Sequence, residues 1–300
     1  MNRGYIYVLL CYALLGIGYP VAKNAIESFP PWIFTCVTML IGGIVLIPIS
    51  LKFDKGALFK LSKKDWVTIA AQSVIGSVLY TVFLLYGMES STAVMASIFT
   101  SLTPAFVLLL SAVLLKEALN VRKLIAIALA IGGVFLLTVP ASDTAGHNTI
   151  FGLSMLLLST LSSAVYVIVA KKYSVDIPAA TIALGICMTG AIFTLPMALN
   201  ELSSFDYGLM TKTNVSLLVF YGITCWAVPT LLFFAGVTKI PASAAGMAFA
   251  ATPLTASLFS ILFLGEHLTI YSAAALALVI ISILIAEAQG KTERLEQPLA

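Results

Sequence analysis

The sequence predicts an all-α integral membrane protein of ten transmembrane helices. They form two five-helix repeats of inverted topology, with both termini on the cytoplasmic side (N-in/C-in). Three observations carry this: the composition, the apolar runs between charges, and a self-match at constant offset. Of 300 residues, 60% are hydrophobic and 10% charged, against about 45–50% and about 25% in soluble domains. So thin a charged coat cannot solvate a body of 31.8 kDa, which excludes a cytosolic enzyme and a disordered chain. The mean hydropathy of +1.06 agrees. The net charge of +3 forms no basic patch, so no nucleic-acid partner is expected.

A spanning helix needs about 20 mostly apolar residues. Charges, prolines and polar connections delimit ten such runs: Gly4–Ala22, Trp32–Leu51, Trp66–Gly87, Thr92–Leu115, Leu124–Val139, Ile150–Ala170, Ala180–Leu199, Val215–Gly236, Ala242–Leu264 and Thr269–Glu287. Their continuity excludes a β-barrel, whose strands alternate. The first run is too long for a cleaved signal peptide and no small-residue cleavage site follows. With the N-terminus inside, every Lys and Arg except Lys23 and Lys212 falls on the cytoplasmic side, as the positive-inside rule requires. The polar stretch 289–300 reads as a cytoplasmic tail.

The repeat appears when Gly87–Ile131 is laid over Gly236–Ile280, an offset of 149 without a gap. Gly87/Gly236, Thr103-Pro104/Thr252-Pro253, Ser111/Ser260, Glu117/Glu266 and Leu119/Leu268 coincide, and Ala22-Lys23 matches Ala170-Lys171 at offset 148. The units are 1–139 and 140–288. Five spans per unit is an odd number, so the second copy enters the membrane upside down, an organisation typical of alternating-access carriers.

The Tyr86-Gly87 pair, Pro104, Leu115-Lys116-Glu117-Ala118-Leu119, and their echo in Pro253 and Leu264-Gly265-Glu266-His267-Leu268 resemble the EamA-type transporters of the drug/metabolite transporter superfamily. The Val21-Ala22-Lys23 ending of span one also fits. Two departures stand out: span one reads Leu15-Gly16-Ile17-Gly18-Tyr19 where the family often has Trp-Gly-x-Asn-Phe, and span two lacks the family's frequent arginine. The resemblance implies export of amino acids or other small metabolites across a bacterial inner membrane.

Ionisable groups at mid-membrane are costly and usually functional. Here every Lys, Arg, Asp and Glu falls in a connection or near a helix end. A strongly anionic substrate and a carboxylate-driven multidrug antiporter both fit poorly. A neutral, zwitterionic or weakly cationic substrate fits better, held by hydroxyls, carbonyls and aromatic faces. The substrate-binding candidates are Tyr12, Gln72, Ser77, Tyr80, Thr100, Ser163, Tyr166, Tyr221 and Trp226. Offset 149 pairs Gln72 with Tyr221 and Ser77 with Trp226, so equivalent positions present different chemistry. Any single Ser or Thr has a plainer use, bonding its own helix.

A mid-helix proline leaves the carbonyl four residues earlier without a donor. Pro104, Pro229 and Pro253 would free Thr100, Cys225 and Phe249, and the matched Pro104 and Pro253 read as hinges. Lys23 with Glu266 at the outer side, and Lys171 with Glu117 at the inner side, are candidate gate latches. Cys11, Cys36, Cys187 and Cys225 stand alone in apolar runs, and His147 and His267 lie in connections. No metal cluster, cofactor or enzymatic nucleophile is therefore expected. Partners reduce to a small-molecule substrate and the lipid bilayer, with no obligate protein partner. The alternatives are a carrier of drugs or other cationic compounds, a purine- or nucleoside-type carrier of the same fold, and, from another class, a channel.

Overall fold

The computed structural model describes residues 3–26, 28–90, 99–100, 102–117, 119–138, 149–174, 176–263, 274, 277–278, 280–282 and 285. Every regular element among them is helical: α1 (Arg3–Ile26), α2 (Pro31–Phe53), α3 (Lys63–Glu89), α4 (Thr103–Leu114), α5 (Val121–Thr138), α6 (Ile150–Tyr173), α7 (Ala179–Leu202), α8 (Lys212–Val237), α9 (Ala242–Ala248) and α10 (Ala251–Phe263). Helices α2, α3, α6, α7 and α8 are each long and apolar enough to cross a membrane. The tail at 289–300 lies outside the described residues.

How the helices begin explains much of the packing. The first N–H groups of any helix lack partners within it. Three helices solve this locally: Ser62 and Asp65 form a capping box on α3, while Thr149 and Thr211 cap α6 and α8. Helices α2, α7 and α9 instead start after Pro30, Pro178 and Pro241, which offer no side-chain cap. Each of these receives a carboxylate from elsewhere in the chain. Glu201 accepts from the amides of Trp32 (3.1 Å) and Ile33 (3.0 Å). Asp54 accepts from the amide and hydroxyl of Thr181, both at 2.7 Å. Glu117 accepts from the amides of Ala242 (2.7 Å) and Ser243 (3.2 Å) and from the Ser243 hydroxyl (2.6 Å). A negative charge at a helix start also complements the helix dipole.

Two of these caps are reciprocal. Asp54 follows α2 and caps α7, while Glu201 near the end of α7 caps α2, so the two helices run antiparallel and are tied at both ends. They form the most extensive helix contact among the described residues. Each also carries an internal proline, Pro48 and Pro196, 148 residues apart.

Two departures from straight helix place the functional groups. Gln72–Leu79 within α3 and Gly222–Ala227 within α8 are π-helical, and the offset of 149 lays one over the other. Such widened turns cluster at functional sites. The second departure corrects an expectation. Spans four and nine were expected to be continuous, with prolines in mid-helix. Instead α4 begins at Thr103 with Pro104 in its first turn. After α9 ends at Ala248, α10 begins at Ala251 with Pro253 in its first turn. There a missing N–H costs nothing. The Phe249 carbonyl is not free either: it accepts from the Thr252 amide at 2.9 Å. The matched Thr-Pro pairs restart a helix rather than kink one.

Candidate functional site

Helices α1, α3, α6 and α8 and the α9–α10 link line a cavity of about 80 Å³. A single water needs roughly 10–15 Å³ on this measure, so several waters or a small organic molecule fit. Cys11, Tyr12 and Leu15 face it from α1; Gly76, Ser77, Tyr80 and Thr81 from α3; Ser163 and Tyr166 from α6. From α8 come Tyr221, Cys225, Trp226, Pro229, Thr230 and Phe233, and Phe249 lines it from the link. Both π-helical segments contribute to this wall, so the widened turns aim their side chains at one space.

Hydrogen bonding separates the hydroxyls into two kinds. Thr35, Thr38, Thr189, Thr194 and Thr255 each donate to a carbonyl of their own helix. Ser73 donates to the Ile186 carbonyl (2.9 Å) and Ser159 to that of Tyr80 (2.9 Å), fastening helix to helix. The hydroxyls of Tyr12, Ser77, Thr81, Ser163, Tyr166 and Thr230 have no hydrogen-bond partner among the described residues. All six face the cavity, where water or a small molecule can satisfy them.

The aromatic walls are ordered. Tyr166 stacks on Phe233 at 5.0 Å, and the Tyr12 ring meets Phe249 edge-on at 4.9 Å and Phe233 at 6.2 Å. Tyr221 packs edge-on against Phe34 at 4.8 Å. Trp226 donates its indole N–H to the Thr38 hydroxyl at 3.1 Å, which fixes its ring. Gly76 is required by this packing, because a Cβ there would fall inside the Tyr166 ring. Among the described residues, no charged side chain lines the cavity. Among the described residues the one buried charged side chain is Lys123, in the first turn of α5.

Of the residues singled out in the sequence, Tyr12, Ser77, Tyr80, Ser163, Tyr166, Tyr221, Trp226 and Pro229 meet at this cavity. Gln72 and Thr100 do not. Gln72 is buried one helical face away, donating to the Ser174 hydroxyl at 2.8 Å, with its carbonyl oxygen unpartnered. Thr100 is helical and lies beside α6, where Thr160 donates to the adjacent Phe99 carbonyl. Sequence reading missed Thr230 and Phe233. Their spacing of four to Trp226 and Pro229 on the same helix was the available signal.

The expected latch between Lys171 and Glu117 takes another form. Glu117 spends its carboxylate on Ala242 and Ser243, while Lys171 donates to the Thr238 carbonyl at 2.9 Å. The two charges hold the same connection from its two ends. The Lys23 side chain, Glu266 and the Pro253 side chain lie outside the described residues.

Comparison with known proteins agrees with this picture. The model of the EamA-like transporter family matches twice, at residues 2–139 and 150–287. An uncharacterized transporter of Bacillus subtilis (strain 168), YetK, is 31% identical over 264 residues, covering 87% of this chain and 80% of its own length. An uncharacterized transporter of Archaeoglobus fulgidus is 25% identical over 94% of this chain and 98% of its own. One solved crystal structure superposes with a TM-score of 0.80 at 18% identity, over 99% of this chain and all of its own, a likeness of fold. The chain is a multi-pass membrane protein and a transporter, not an enzyme, and it belongs to the EamA-like transporter family.

Proposed function

We propose that the protein is a secondary carrier that moves a small neutral, zwitterionic or weakly cationic metabolite, such as an amino acid, out across the inner membrane by alternating access. In this reading ten helices form two inverted five-helix repeats, 1–139 and 140–288, with both termini cytoplasmic. The matched π-helical segments, the matched helix restarts at Pro104 and Pro253, and the reciprocal caps of α2 and α7 all support it. The restarts at Pro104 and Pro253, with Pro229 beside the second widened turn, serve as the flexible points.

The observation that carries the substrate class is a set of six hydroxyls, without partners among the described residues, on an aromatic cavity whose described lining carries no charge. Hydroxyls donate and accept alike, so they suit a ligand bearing both kinds of group. A strongly anionic ligand would find no cation among the described lining residues to neutralise it. The rings of Tyr12, Tyr80, Tyr166, Tyr221 and Trp226 favour a second reading, an organic cation held by π faces.

The test has two stages. Purified protein is screened for thermal stabilisation by amino acids, amines and purines, since a ligand preferring the folded state raises its melting point. Compounds that stabilise it are then tested for counterflow in proteoliposomes. Acceleration by substrate on the far side is the expected result. Uptake without such acceleration would mark a channel.

A further inference from the structure

The connection between α8 and α9 joins two walls of the cavity. Phe233 and Thr230 precede it on α8, and Phe249 follows it beyond α9. Both phenylalanine rings touch Tyr12. Whatever moves this connection therefore moves two of the rings that line the cavity.

The connection is held from three directions. Lys171, in the last turn of α6, donates to the Thr238 carbonyl and so caps the end of α8. Glu117, following α4, accepts from Ala242 and Ser243 and so caps the start of α9. At its base α1 lies in close contact: a Cβ on Gly4 would meet the Gly236 carbonyl at 3.0 Å, and the Lys239 ammonium sits 5.7 Å from the Tyr7 ring.

Glu117 is aimed by an unfavourable backbone. Lys116 has a φ of 57°, a left-handed conformation that a residue with a Cβ adopts at a cost. It turns the chain so that the Glu117 amide reaches back to the Ser111 carbonyl at 3.2 Å. The second repeat has Gly265 at the matching position, immediately before Glu266. Glycine is the residue that takes a left-handed backbone without cost.

The other borrowed caps behave differently. Asp54 and Glu201 are engaged at opposite ends of α2 and α7 at the same time. Contacts made at both ends together cannot distinguish one open side from the other. The Glu117 and Lys171 contacts are made at one end.

We propose that the Thr238–Ser243 turn is the cytoplasmic gate of the cavity, and that Glu117 and Lys171 are the two clamps that hold it shut. The proposal rests on the alternating-access reading above. Release of either clamp frees α9 and the end of α8 to swing the Phe233 and Phe249 rings away from Tyr12.

Cys11 and Cys225 line the cavity and serve as reporters. In a Cys36→Ser, Cys187→Ser background, inside-out and right-side-out vesicles are labelled with a membrane-impermeant maleimide and read peptide by peptide. Glu117→Ala and Lys171→Met are each expected to speed labelling from the cytoplasmic side by about 5–30-fold, the factor one lost cap carries, and to slow it from the other side. Unchanged labelling in both folded variants would overturn the clamp while leaving the carrier reading intact. Equal labelling from both sides in the background protein would overturn both. If the single variants fail to fold, a Glu117→Cys, Ser243→Cys pair replaces the contact by a disulfide. Oxidation should abolish cytoplasmic labelling of Cys225 and reduction restore it; persistent labelling after oxidation would also overturn the proposal.

Discussion

Asp54 accepts both the amide and the hydroxyl proton of Thr181 at 2.7 Å, and so fastens the end of one membrane helix to the start of its antiparallel neighbour. Glu201 makes the corresponding contact with Trp32 and Ile33 at the other end. Asp54→Ala and Glu201→Ala should each cost about 0.5–2 kcal/mol of stability, the range for a lost helix cap. Because the two sites lie at opposite ends of the pair, the double variant should lose nearly the sum. Unfolding of the detergent-solubilised protein measures this. A double variant no worse than either single one would show that the caps act as one unit.

The two kinds of hydroxyl should separate experimentally. Removing the Thr38 hydroxyl by Thr38→Val strands the buried Trp226 indole N–H and should lower stability by about 1–3 kcal/mol. Tyr12→Phe and Tyr166→Phe remove hydroxyls with no partner among the described residues. Their stability should hold or rise, while ligand affinity falls by roughly 2–10-fold per lost hydrogen bond. A thermal-shift titration reads both quantities in one experiment. Loss of stability in the tyrosine variants would mean that these hydroxyls already have work inside the protein.

Gly76 and Tyr166 interlock so closely that Gly76→Ala must push the ring into the cavity or out of line. Overpacking of this kind costs about 1–3 kcal/mol. The variant should melt earlier and lose stabilisation by ligand. Adding Tyr166→Val should recover the melting temperature but not the ligand response. Recovery of both would place Tyr166 outside the binding surface.

Pro104→Ala and Pro253→Ala should let the helix run on across the breaks before α4 and α10. Transport should slow more than binding weakens, as reconstituted flux and ligand titration would together reveal. Unaltered turnover in both variants would argue that these breaks are fixed.

The membrane-spanning helices and the cavity's aromatic character were legible because they rest on composition and on rows of side chains. Pro30 and Pro178 marked helix starts as plainly as any cap. The widened turns at Gln72 and Gly222 were not legible, since one extra residue per turn leaves no mark in hydropathy. Gln72 was named for its polarity, and polarity alone does not say which face of α3 a side chain takes. Nor could sequence tell Ser73 and Ser159, committed to carbonyls of neighbouring helices, from Ser77 and Ser163, which have no partner among the described residues. That distinction depends on which carbonyl lies opposite, a matter of tertiary packing. The partners of Glu117 and Lys171 were hidden for the same reason. Opposite charges invite pairing with each other, yet backbone groups at two helix ends proved the nearer claimants.

A widened turn behaves like a single inserted residue absorbed without lengthening the loops. Sliding it by one position would re-aim only the side chain between its old and new places, by about 100° around the helix axis, while the rest of the helix kept its register. Relatives can thereby re-aim Tyr80 or Trp226 and acquire new cargo without rebuilding the bundle that carries them.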